Sequence, residues 1–255
     1  MATMPALRIL LEGTVTSFRY PHFMWGSQPT YRMPPPATIY GHICSAVGDW
    51  IDPASVRFAY HFTAETTFTD LEHIHAGGDL GPITAKRQRE LAAAGYPDAT
   101  VYGESTVTPF KRELLFRPRL TLYLDRIDLV DAFRSPHYAV VLGRSQDLCS
   151  YPPGGIAVID LEQRYDVYYA HTLLPIAMGP RVGRGIAVMM PRRVDYTQRR
   201  HPTFAQYLML HEQVTPALEF GAAPLEWCDP SAPLVDGRAR AVVWHRFVEE
   251  PDVPT

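Results

Sequence analysis

The 255-residue sequence predicts an α+β domain of ferredoxin-like order, the arrangement also used by RNA-recognition motifs. Three observations carry that prediction. Segments rich in β-branched and aromatic residues recur at Leu7–Leu11, Val56–Thr69, Leu120–Leu124 and Tyr138–Leu142. Helical spacing of apolar residues falls between the first and second of these and again between the third and fourth. The resulting order is strand, helix, strand, strand, helix, strand, which is the split βαβ pattern.

The first strand, Leu7-Arg-Ile-Leu-Leu11, continues through Val15 and Phe18 into an aromatic and proline-rich loop, Tyr20 to Pro36. Ile39, Ile43, Ala46, Val47 and Trp50 then recur at helical spacing behind Pro36, a residue suited to a helix start. After the strand Val56–Thr69 comes a glycine-punctuated polar span, about 76–110, carrying Lys86, Arg87 and Arg89. That span is too long for a plain loop in a compact domain and reads as a functional projection. Asp128–Phe133 is expected as a short helix, and Tyr138–Leu142 as the buried strand after it. Ile156–Ile159, Tyr165–Tyr169 and Ile186–Met190 are further strands, forming with the rest one domain over 1–225. The stretch 226–255 is proline-rich and acidic and reads as a partly mobile tail.

Composition narrows the function classes. With 46% hydrophobic and 20% charged residues and a formal net charge of -3, the chain is globular and has no overall basic field, so any nucleic-acid site must be local. Cys44, Cys149 and Cys228 are odd in number and lack CxxC spacing, which fits neither a disulfide framework nor a zinc site. The N-terminus lacks the pattern of a signal peptide, and no apolar run approaches a membrane span. A soluble cytoplasmic protein without cofactor is expected.

Local basic islands exist. Gly179–Arg200 holds six arginines against one acid, Asp195, and its Arg181 and Arg184 lie among glycines whose backbone can approach an anion closely. An arginine-rich hairpin in solvent or an ionic protein interface accounts for the same residues equally well. Gly143-Arg-Ser-Gln146 follows the Tyr138–Leu142 segment: a glycine for a sharp turn, Arg144 to fork onto a phosphate, and Ser145 and Gln146 to bond base edges. The plain alternative is a strand-ending turn capped by Asp147. Phe18, Arg19, Tyr20, His22, Phe23, Trp25 and Tyr31 mix rings and charge in a way that suits unpaired bases, or else a loop folded over the core.

Enzyme signatures are thin. The chain lacks GxxxxGK[ST], GxGxxG and a nucleophile elbow around Ser145 or Cys149. His73 and His75 form only a lone HxH. Tyr40, His42 and Lys111 have the residue types for metal-free RNA cleavage, but nothing in the sequence makes them converge.

Three segments, Gln28–Gly48 (QPTYRMPPPATIYGHICSAVG), Leu142–Pro152 (LGRSQDLCSYP), and LLP at Leu173–Pro175 with PRRVDY at Pro191–Tyr196, resemble the Cas-five family of CRISPR-associated proteins, in the variety found in type I-B effector complexes. The resemblance runs from Leu7 to about Tyr196, and TIYG and LGRSQDL are its most specific parts. It implies a ferredoxin-like domain of the repeat-associated RNA-binding superfamily with a thumb-like projection. It also implies one copy per Cascade ribonucleoprotein complex in antiviral defence, gripping the 5′ handle of the crRNA. The implied partners are the large subunit, the helical backbone subunit and, within the assembled complex, target DNA. Gly143, Arg144, Ser145 and Gln146 would then meet the handle with Arg19, Tyr20 and Tyr40 nearby. Arg181 and Arg184 would neutralise phosphate, and Lys86, Arg87, Arg89, Lys111 and Arg112 would sit on or beside the thumb. Type I-C relatives cut precursor crRNA with a first-helix tyrosine and a lysine–histidine pair. Tyr40 matches the first, but Lys111-Arg112 lacks the histidine, so a non-catalytic RNA-binding subunit is expected and a metal-independent endoribonuclease is the alternative.

Overall fold

The computed structural model describes residues 2–21, 26–76, 84–97, 106–198, 200–211 and 225–248. It is a mixed α+β fold with several β-sheets. The elements used below are β1 (Thr3–Gly13), α1 (Pro36–Val47), β2 (Arg57–Thr63), β3 (Thr66–Ala76), α2 (Ala85–Ala93), β4 (Thr106–Phe116), β5 (Arg119–Leu124) and α3 (Val130–Arg134). They continue as β6 (Ile156–Arg164), β7 (Thr172–Pro175), β8 (Ile186–Asp195), β9 (His201–Leu210), β10 (Glu226–Cys228), β11 (Ala239–Val242) and β12 (His245–Arg246).

The chain divides into two units. The first comprises Met1–Arg19, Thr30–Phe68 and Leu114–Thr255, and the second Tyr20–Pro29 and Thr69–Glu113. In the first, nine strands among the described residues share one sheet whose centre runs β6-β1-β5-β2, every neighbour antiparallel. Register stacks Leu7, Leu124 and Phe58 in one row, Ile9, Leu122 and Tyr60 in the next, and Leu11, Leu120 and Phe62 in the third. All nine are buried, so alternate residues of three strands supply one apolar face.

The opposite face is closed by the chain's last described segment. Asp229 accepts from Arg8 Nη1 at 3.1 Å and from the Tyr123 hydroxyl at 3.1 Å, and the His61 ring meets the Ala241 carbonyl at 3.0 Å. β10 and β11 extend the sheet beyond β6, and β12 pairs with β2. Residues 226–248 are therefore built into the main sheet and are not the separate tail the composition suggested; Cys228, Val242 and Phe247 supply apolar anchors that outweigh the surrounding prolines and acids.

Three other expectations change. Val56–Thr69 holds parts of two strands, β2 and β3, broken at Ala64–Glu65. Tyr138–Leu142 is not a buried strand: Tyr138 and Ala139 are exposed, and only a single bridge joins Val141 to Leu148. The place beside β1 that a fourth strand would take is filled by β6, with Cys149–Ser150 pairing to Glu12 and Gly13 at the end of β1. α1 ends at Val47 because Gly48 adopts φ +87° and its N–H bonds the Cys44 carbonyl, which places Trp50 outside the helix. β7, β9 and β8 form a second, three-stranded sheet of the first unit.

In the second unit, Ser27–Gln28 pairs in parallel with Lys111–Arg112. Arg112 bonds Glu72 at 2.5 Å and Gln28 at 2.6 Å. α2 starts at the N-cap Thr84 and buries none of its residues.

Candidate nucleic-acid interface

The turn at Gly143–Asp147 is braced from four directions. Across its base the Cys149 N–H reaches the Val140 carbonyl at 2.9 Å, and the Leu142 N–H reaches the Asp147 carbonyl at 3.1 Å. Gly143 sits at φ +90°, and a Cβ there would lie 2.5 Å from Thr16 Oγ1 and 2.7 Å from the Ser17 carbonyl oxygen. Only glycine satisfies both the backbone angle and that approach. The Thr16 hydroxyl donates to the Leu142 carbonyl, so the turn is seated on Thr16–Ser17.

Arg144 faces inward. Its Nε lies 2.9 Å and its Nη2 2.6 Å from the Asp147 carboxylate, which also accepts the Arg144 backbone N–H at 3.2 Å. Asp147 is 1% exposed and the Arg144 side chain 15% exposed. A carboxylate this deep persists only when paired and hydrogen-bonded, and the fork supplies both. Arg144 thus shapes the turn, and Ser145 and Gln146 are left exposed at its apex.

His42, on α1, holds both ends. Its Nδ1–H donates to the Val141 carbonyl at 3.2 Å, which leaves Nε2 to accept from the Tyr151 hydroxyl at 3.1 Å. Burial lowers its pKa to about 4, so the ring is neutral near pH 7. The sequence offered His42 only as one of three residue types suited to metal-free RNA cleavage; its structural role depends on contacts 99 and 109 residues away that no local motif signals.

The remaining candidates separate. Arg19 is exposed and lies two residues beyond the seat of the turn, held by a bridge to Thr30. Tyr20, Lys111, Arg112 and the α2 residues Lys86, Arg87 and Arg89 belong to the second unit. There Lys86, Arg87, Arg89 and Lys111 are exposed, and Arg87 pairs with Glu90 at 3.1 Å. Tyr40 is 3% exposed and its hydroxyl donates to the Ile51 carbonyl at 2.5 Å; burial holds its pKa well above the usual range. Phe18 and Tyr31 are buried, while His22, Phe23 and Trp25 lie outside the described residues.

Within the arginine-rich segment, Arg181 is half-buried on a single helical turn, and Arg184 is exposed between Gly183 at φ +66° and Gly185 at φ +117°. A Cβ on Gly185 would lie 2.8 Å from Leu208 and Leu210, so this glycine lets the loop lie flat on β9. Arg193 pairs with Asp195 at 3.1 Å, and Arg200 is exposed. Among the described residues no group of three or more His, Cys, Asp or Glu side chains is placed to hold a metal ion, and no helix is long and apolar enough to cross a membrane.

No protein-family model matches the chain, and no curated protein matches it. Among solved structures, a chain of a CRISPR RNA-guided surveillance complex is 17% identical, covering 83% of this chain and 91% of that one at a TM-score of 0.48. A CRISPR protein from Archaeoglobus fulgidus is 12% identical, covering 95% and 100% at 0.43. A chain of the type III-B Cmr-beta complex bound to cognate target RNA is 11% identical, covering 81% and 85% at 0.45. All three scores are below 0.5, so the functional reading rests on this chain's own residues.

One residue pair was not visible as a site in the sequence. Trp50 and Tyr196 stack face to face, with ring centroids 4.4 Å apart and planes 8° apart. Periodicity had assigned Trp50 to the apolar stripe of α1; Gly48, as a helix-ending glycine, was the signal that releases it.

Proposed function

We propose that this chain is a non-catalytic RNA-binding subunit of a type I, I-B-like, crRNA-guided surveillance complex, seating the repeat-derived 5′ handle on the Gly143–Asp147 turn. The observation that carries this reading is the bracing of that turn by Thr16, His42 and the Arg144–Asp147 fork, which leaves Ser145 and Gln146 exposed at its apex; exposed Arg19 lies two residues along the chain from the Thr16–Ser17 seat. A polar apex held rigid by four sets of contacts suits recognition of a splayed single strand, because its donors are oriented before binding. The antiparallel order β6-β1-β5-β2, with α1 and α3 in the crossovers, is what a ferredoxin-like domain requires. The large and helical backbone subunits and target DNA are the proposed partners within the complex.

The test is co-purification of the tagged chain from cells expressing its genomic neighbours and a repeat-spacer array, followed by sequencing of bound RNA. Uniform short RNAs sharing a repeat-derived 5′ end, lost on combined Arg19→Ala, Ser145→Ala and Gln146→Ala substitution, are expected. A folded protein that recovers no RNA removes the reading. The endoribonuclease alternative would need the Tyr40 hydroxyl released from the Ile51 carbonyl; incubation with repeat RNA in chelator is expected to leave the RNA intact.

A further inference from the structure

An aromatic column runs from the core of the first unit to its surface. Phe58 stacks on Phe247 at 4.4 Å and 11°, Phe247 meets Tyr40 at 5.1 Å, Tyr40 stacks on Trp50 at 6.2 Å, and Trp50 stacks on Tyr196 at 4.4 Å. Exposure rises abruptly at the end: Tyr40 is 3% exposed, Trp50 46% and Tyr196 48%. Tyr196 has one ring face stacked on the indole yet remains about half exposed, so solvent reaches much of the residue outside that stack. The column starts at the fully buried rings of Phe58, on β2, and Phe247, and it ends at the half-exposed stack of Trp50 and Tyr196.

We propose that the face of Tyr196 away from Trp50 is a stacking platform for one unpaired nucleobase, in addition to the contacts at the Gly143–Asp147 turn; the proposal rests on the RNA-binding reading above. Three features favour a base over a protein side chain. A ring presented parallel to its neighbour within 8° continues as a stack of flat groups, and every base has such a face. Among the described residues, the chain neighbours Asp195, Thr197, Gln198 and Arg200 of Tyr196 are polar or charged, which suits a ligand that carries phosphates. The local charge is also suitable. Asp195 is engaged by Arg193 at 3.1 Å and by Thr197 at 2.7 Å, and Arg200 is exposed four residues on. Because Asp49 and Asp52 flank Trp50, the phosphates of a bound strand would run along the Arg193–Arg200 side.

The experiment uses the full chain with short unpaired oligoribonucleotides carrying 4-thiouridine, photocrosslinked and mapped by peptide mass spectrometry, alongside binding titrations. Crosslinks at Tyr196 or Trp50 are expected. Tyr196→Ala should weaken binding about five- to a hundred-fold, while Tyr196→Phe, which keeps the ring, should stay near wild type. Arg200→Ala should lower the salt slope by about 0.7. Crosslinks confined to residues 143–146, with Tyr196→Ala binding normally, would overturn the platform and leave the RNA-binding reading intact. Crosslinks at the platform but not at the turn would support the platform and overturn the turn's role. Normal RNA binding by Tyr196→Ala combined with loss of a protein neighbour would assign the rings to a protein interface and overturn the proposal. A folded chain that crosslinks to no RNA would overturn both.

Discussion

The Nε2 atom of His42 accepts a hydrogen bond from the Tyr151 hydroxyl, 3.1 Å away, while the same ring donates to Val141 on the other side of the turn. A helix residue thereby ties the entry and exit of a loop that carries the proposed RNA contacts. His42→Phe would keep the apolar volume and strand both partners, since a partly buried hydroxyl and carbonyl lose their hydrogen bonds together. The expected cost is roughly 1–3 kcal/mol in denaturant unfolding. Amide exchange at Leu142 and Cys149 is expected to rise more than in β1.

Acid should destabilise the fold through three buried histidines. Burial lowers His42 and His245 to about 4 and His61 to about 3. A histidine whose folded pKa lies below its unfolded value gives stability that is full above the unfolded pKa, near 6.5, and is lost as pH falls toward the folded one. Between pH 7 and 4.5, His42 and His245 should each cost about 2 kcal/mol. Thermal melting across that range checks the sign: a melting temperature that rises on acidification would contradict the burial of these rings.

Removing either half of the Arg144–Asp147 fork leaves a poorly solvated charge. Arg144→Ala is expected to destabilise by roughly 3 kcal/mol, at the lower end for buried pairs because Arg144 keeps some solvent. The double variant Arg144→Ala, Asp147→Ala should recover part of that loss in a double-mutant cycle. Additive losses would mean that the fork is not coupled.

Gly143→Ala meets two obstacles, the φ of +90° and the contact with Thr16 and Ser17. The turn should either lift from its seat or cost roughly 1–3 kcal/mol of stability. RNA affinity should fall in step with that displacement, whereas Gly183→Ala, whose Cβ meets no atom within 4 Å, should show strain without a clash.

Salt dependence separates phosphate contacts from shaping residues. Arg19→Ala and Arg184→Ala should each reduce the slope of log affinity against log salt by about 0.7 with the fold intact. Lys86→Ala, on exposed α2, tests in the same way whether the second unit meets the strand.

Local chemistry in the sequence determined much of the framework. Alternating apolar residues in Leu7–Leu11 and Leu120–Leu124 mark β1 and β5, and Pro36 with the Ile39, Ile43 and Ala46 spacing marks α1, because a period of two or 3.6 commits a segment to one buried face. Gly143 as a position for a sharp turn was legible for the same reason: only glycine takes its backbone angle freely. Tertiary structure alone decided the rest. Tyr138–Leu142 has strand-like residues but no strand partner, since β6 occupies the neighbouring place on β1. Arg144 looks outward in sequence and is drawn inward by a carboxylate that burial leaves in need of a cation. The stretch 226–255 reads as proline-rich and acidic, yet within it Asp229 has Arg8 and Tyr123 to meet, more than a hundred residues away. Periodicity reports which face of an element seeks cover. It does not report which distant group will supply that cover, and in this protein the seat of the turn, the His42 clasp and the Trp50–Tyr196 stack all depend on such long-range pairings.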